Sequence, residues 1–172
     1  MKTTIDDRRI LALEIRKSSF GYAIFEGPKR LLDWGGTSSS PLDRATRRMQ
    51  NRFQVLLKQL PPVVIVVKVW RVETHHPKIL RHIEQEASNR LIPVHVISSH
   101  ELREAFGIFS IRNNDDIADV IARIFPELLF KLPRRRRPWR KEPRAMIVFV
   151  AVAVGFAFWQ KSRDQDASPD RI

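Results

Sequence analysis

The 172-residue chain has no cysteine, which excludes a disulfide scaffold, a cysteine-ligated zinc site and thiol catalysis. Acid is scarce as well: 19 Asp+Glu stand against 31 Lys+Arg, a net charge of +12. The first nine residues hold no apolar run, so no secretory signal peptide is expected. No internal repeat is present. What the chain does have is 43% apolar residues, enough for a packed core and too many for wholesale disorder. The length fits one domain with a tail. The excess of positive charge points to a polyanionic partner, either nucleic acid or an anionic membrane face.

The charge is concentrated. Residues 131–144 carry eight basic side chains and one acid, and Pro133, Pro138 and Pro143 forbid a continuous helix there. An extended basic loop is expected. Clustered arginines neutralise phosphates, and an indole stacks on an unpaired base or packs back on its own domain. Arg134, Arg135, Arg136, Arg137, Trp139, Arg140 and Lys141 are therefore candidate nucleic-acid contacts.

Residues 145–159 contain no charge. As a helix they span about 22 Å, short of the ~30 Å hydrocarbon core. Arginines ahead of the segment match the pattern of a membrane anchor. Val150, Val152, Val154, Phe156 and Phe158 also alternate with small residues, as in a strand. Packed helix, membrane segment and strand all stay open on this reading.

Upstream, residues 10–15, 20–25 and 30–35 read as three strands joined by short turns, an antiparallel meander. Ser40 and Pro41 open a helix with Leu42, Ala45, Met49, Phe53, Leu56 and Leu60 inward. Its other side carries Arg44, Arg47, Arg48, Arg52 and Lys58, and Arg44, Arg47 and Arg48 are further candidate phosphate contacts. Residues 63–69 are β-branched and continuous, a central strand. A helix over 77–91 follows, with Ile79, Leu80, Ile83, Ala87 and Leu91 inward. Then come a short strand at 94–97, a helix capped by the Ser98/Glu101 box and ending at Gly107, and a helix capped by Asn113 or Asn114. This order gives an α/β fold: a mixed sheet, three antiparallel strands and then β-α units, flanked by helices. Residues 1–130 form the core, 131–144 the basic loop, 145–160 a terminal helix that packs on the core, and 161–172 a polar tail.

The run Ile-Leu-Ala-Leu-Glu-Ile-Arg-Lys-Ser-Ser-Phe-Gly-Tyr-Ala-Ile-Phe from Ile10 resembles the opening hairpin of RuvC-type Holliday-junction resolvases. Ile117-Ala-Asp-Val-Ile-Ala-Arg-Ile-Phe-Pro-Glu-Leu, the Arg-rich Pro-Trp loop and the Ala/Val-rich end resemble the C-terminal part of small RuvC-like proteins. The resemblance covers roughly residues 8–160 and implies an RNase H-like fold, a DNA partner with branched structure, a homodimer and a cytoplasmic location. It also implies acids on the first strand, at the end of the fourth and in the last helix, which hold two divalent metals for phosphodiester cleavage. Here those positions fall on Glu14, Lys68, Ile147 and Val150. Glu14 alone keeps a carboxylate for catalysis or metal binding, and an ammonium at Lys68 pairs with it and repels a divalent ion. Glu73, beyond the fourth strand, is a remote substitute.

The resemblance thus implies nucleic-acid binding with weak or absent nuclease activity and no cofactor. Magnesium or manganese is required on the alternative reading of an active resolvase. A non-enzymatic adaptor, anchored to a membrane by 145–159 and the basic loop, is the other alternative. His75, His76 and His82 lack the accompanying ligands of a zinc site and read as incidental loop histidines. Trp34 and Trp70 read as core or rim aromatics. The first strand is expected beside the fourth, in parallel, with Glu14 next to Lys68 near one edge of the sheet.

Overall fold

The strands β1 (Arg9–Ile15), β2 (Ser19–Glu26) and β3 (Leu31–Ser38) form the antiparallel meander. This computed structural model describes residues 8–16, 19–38, 42–69 and 77–166. The remaining elements are α1 (Leu42–Gln59), β4 (Val64–Val69), α2 (Pro77–Asn89), β5 (Val94–Ile97), α3 (Ser99–Glu104), α4 (Asn114–Ile124) and α5 (Met146–Asp166), with short 3₁₀ turns at Gly107–Phe109 and Pro126–Lys131. The sheet order is β3-β2-β1-β4-β5, with β4 parallel to both β1 and β5. Ser40 and Pro41, Trp70, Glu73, His75 and His76 lie outside the described residues.

Alternation along β1 sends Ile10 and Ala12 to one face of the sheet and Leu11, Leu13 and Ile15 to the other. Both faces are covered, which is why the strand reads as a continuous apolar run. Helices α1 and α2 cover the Leu11 face through Met49, Phe53, Leu56, Ile79 and Ile83. Helices α3, α4 and α5 cover the other. His82 stands edge-on to Phe53 at 6.1 Å, and Trp34 is half-buried at the margin of the core.

Residues 145–159 belong to a helix. α5 runs on to Asp166 and is buried on every side along its first three turns. That removes the need for a polar face, so the alternation of large and small side chains carries no strand. The helix is long and apolar enough to cross a membrane, yet 72% of that stretch is buried inside the protein. Two glycines admit it. A Cβ on Gly155 would lie 2.1 Å from the Phe25 ring, and one on Gly21 would lie 2.4 Å from the Ile147 carbonyl. Gly21→Ala should lower the unfolding free energy by about 1–3 kcal/mol in urea titrations, the usual cost of overpacking. Unchanged stability would mean that α5 yields at no cost.

At the far end of α5, Lys161 donates to Glu101 at 2.7 Å. That bond, with the Ser98 backbone N–H of the capping box, holds the Glu101 carboxyl down to about 2. The stabilisation is present above the ordinary carboxyl range and fades as pH falls toward 2.

Two expectations need correction. Leu91 does not face the core: it is 92% exposed with φ at 56°, in the turn that follows α2. Glu14 and Lys68 are register partners, but at the C-terminal ends of central strands rather than at an edge of the sheet.

Candidate nucleic-acid interface

Glu14 is fully buried, between Gly21 of β2 and Lys68 of β4. The Lys68 ammonium lies 3.3 and 3.2 Å from its two carboxylate oxygens. Arg16 Nε donates to Oε1 at 3.1 Å. The same guanidinium pairs through Nη1 with Glu142 of the basic loop, and Asn114 Nδ2 donates to Glu142 at 2.6 Å. The result is one chain of contacts, Lys68–Glu14–Arg16–Glu142–Asn114, which ties β4, β1, the loop and α4 together. In the sequence Glu142 is marked only as the single acid among eight bases.

The donor chemistry does not fit a pair of divalent metals, which need several carboxylate oxygens around them. Glu14 has its oxygens engaged by an ammonium and a guanidinium. Arg16 stands between the two carboxylates and pairs with both. Ile147 and Val150 are 5% and 1% exposed within apolar packing, and the Ile147 side chain closes over Gly21 and Gly36 beside Glu14. Among the described residues no three His, Asp or Glu side chains are grouped to hold a metal.

Beside this chain opens a cleft of about 740 Å³, walled by Arg16, Arg44, Arg48, Lys131 and Arg144, with Glu142 the one acid among the described residues that line it. Helix α1 carries Arg44, Arg48 and Arg52 at four-residue spacing, and the first two line the cleft. Arg52 is the anchor of the row. It donates to the Tyr22 hydroxyl, lies 4.8 Å over that ring and pairs with Asp33 at 3.4 Å. Burial is the main cause that raises the Tyr22 pKa, so the phenol stays neutral. Arg47 is exposed and does not line the cleft. On the far side of Asn114 a smaller cleft is lined by Lys68, Arg103, Arg112 and Arg136; of these, Arg103 and Arg112 carried no sequence signal beyond their charge.

The four consecutive arginines are not equivalent. Arg135 reaches Asp116 at 2.8 Å and Asp119 at 2.6 Å, and Arg136 reaches Asp115 at 3.4 Å. Asp115 and Asp116 sit on the first turn of α4, where the helix dipole favours them, and Asp119 follows in the next. The Arg112 backbone N–H, then Arg135, holds the Asp116 carboxyl below its ordinary range. This anchor is complete above that range and is lost as pH falls through the depressed value. Arg134, Trp139, Arg140 and Lys141 are exposed, and Arg137 lies 5.7 Å over the Trp139 ring. Arg134→Ala with Arg137→Ala should therefore lower the salt slope of log K for duplex DNA by at most about 1.8, or ~0.9 per contact. Arg135→Ala with Arg136→Ala should change the slope less and loosen the loop to proteolysis. Equal slope changes for the two pairs would mean that the α4 anchors open on binding.

No protein-family model and no curated protein sequence matches this chain. Solved structures do. Thermus thermophilus RuvC in complex with a Holliday junction substrate superposes with a TM-score of 0.66 at 15% identity, covering 91% of this chain and 96% of RuvC. The yeast mitochondrial Holliday junction resolvase gives 0.56 at 13%, covering 95% and 83%. The fowlpox virus resolvase in complex with Holliday junction DNA gives 0.58 at 13%, covering 90% and 98%. The chain has the RuvC-type resolvase fold, the RNase H-like α/β architecture expected from its strand order.

Proposed function

We propose that this protein binds nucleic acid, duplex or branched DNA, on a RuvC-type fold whose metal centre has been replaced by a buried ion-pair chain, and that it does not cleave what it binds. The observation that carries this reading is Glu14 held between Lys68 and Arg16. A carboxylate so engaged, with Ile147 and Val150 at the other acidic positions, offers no seat for the metal that would activate water. The basic cleft supports the binding half. Arg44, Arg48, Lys131 and Arg144 stand around a groove with one opposing acid among its described lining residues, an arrangement that attracts phosphates and releases counterions. That two of the similar structures hold junction DNA supports the same class of ligand.

Anisotropy titrations with a labelled four-way junction and a duplex of equal length, in EDTA, test the binding half. Both should bind with a steep salt dependence. Absence of binding at about 50 mM salt, where phosphate contacts are strongest, would reject it.

A further inference from the structure

We infer that the basic cleft accepts an unpaired stretch of nucleic acid, with Phe130 and Trp139 as stacking surfaces for its bases. This rests on the nucleic-acid reading above and adds which part of the ligand the protein recognises. Most of the large aromatics go inward: Phe20, Phe25, Phe53, Phe106, Phe125 and Phe149 are fully buried. Phe130 and Trp139 break that pattern, at 76% and 75% exposed. Both lie at the basic loop, one just before it and one within it, and each has a cation over its ring. Lys131 Nζ is 5.8 Å from the Phe130 centroid, and Arg137 is 5.7 Å from that of Trp139.

Lys131 also lines the cleft, and the chain returns to the cleft wall at Glu142, three residues past Trp139. The turn that carries the indole is closed by the Arg140 N–H on the Arg137 carbonyl at 2.9 Å. It is anchored on one side by Arg135 and Arg136 on α4 and on the other by Glu142 on Arg16 and Asn114. A held turn loses little freedom when a ligand docks on it.

A paired duplex presents phosphates and base edges, its base faces being already stacked. Away from duplex ends, it is unpaired bases that offer a face to an exposed ring, and the cations alongside serve the phosphates that accompany them. An aromatic on one side of the base and a cation over the same ring is the arrangement that single-strand binders use without reading sequence.

The test uses the full chain and two DNAs of one sequence, an intact duplex and the same duplex with a short central gap carrying 2-aminopurine. The gapped DNA should bind roughly tenfold more tightly, with quenching of the 2-aminopurine, and Phe130→Ala and Trp139→Ala should each lose roughly tenfold on it. Both variants should lose clearly less on the intact duplex than on the gapped DNA, and Trp139→Phe should retain most of the preference. Equal affinity of the unmodified protein for the two DNAs, or equal loss on both by the variants, overturns the inference and leaves the nucleic-acid reading standing. Failure to bind either DNA overturns both.

Discussion

Lys68→Met should lower the unfolding free energy by about 3–5 kcal/mol, the cost of leaving a buried charge without its partner. Lys68 is 4% exposed and Glu14 is not exposed at all, so little water reaches the place of the lost ammonium. Arg16 would remain on one oxygen, with part of its charge already directed at Glu142. The pair Glu14→Gln with Lys68→Met removes both charges and keeps an oxygen for Arg16 Nε, so most of the stability should return. Urea denaturation of the two variants measures this directly. A single variant within about 1 kcal/mol of the unmodified protein would mean that the pair is not held as the geometry has it, since breaking a buried pair is costly.

Arg44→Glu with Arg48→Glu should weaken binding of duplex or junction DNA by at least about 100-fold in ~100 mM salt. Two phosphate contacts go, and two carboxylates then face the backbone, a like-charge juxtaposition worth several kcal/mol. Arg47→Glu is the control. It changes net charge on the same helix by the same increment per residue, but it does not line the cleft, so its effect should stay within about threefold, as expected for long-range screened charge. A loss at Arg47 as large as that at Arg48 would shift the binding surface off the cleft. The two experiments are independent: one reads the interior of the sheet, the other its basic rim.

Much of this was legible in the residues. The continuous apolar run at Ile10, the serine and glutamate of the α3 capping box and the β-branched run before Lys68 each gave their element. The strand order then placed Glu14 beside Lys68. What sequence could not carry was side-chain partnership at long range. Arg135 and Arg136 look identical to Arg134 and Arg137, and only the fold brings Asp115, Asp116 and Asp119 under two of the four. Glu142 looked like a lone acid in a basic loop until Arg16, 126 residues away in the chain, met it. The apolar run from Ala145 stayed ambiguous because a helix buried on all sides loses the 3.6-residue period that marks an amphipathic one. Leu91 kept the period of α2 and yet lies beyond its end, where the backbone turns left-handed.

We propose a resolvase fold that binds DNA without metal chemistry. One measurement addresses it most directly: incubation of the unmodified protein with a labelled four-way junction in magnesium and in manganese, at concentrations where anisotropy shows the junction bound, followed by a denaturing gel. A bound junction with all strands intact at background level is the expected result, with and without metal. Strand cleavage by the unmodified protein that Glu14→Gln abolishes would contradict it.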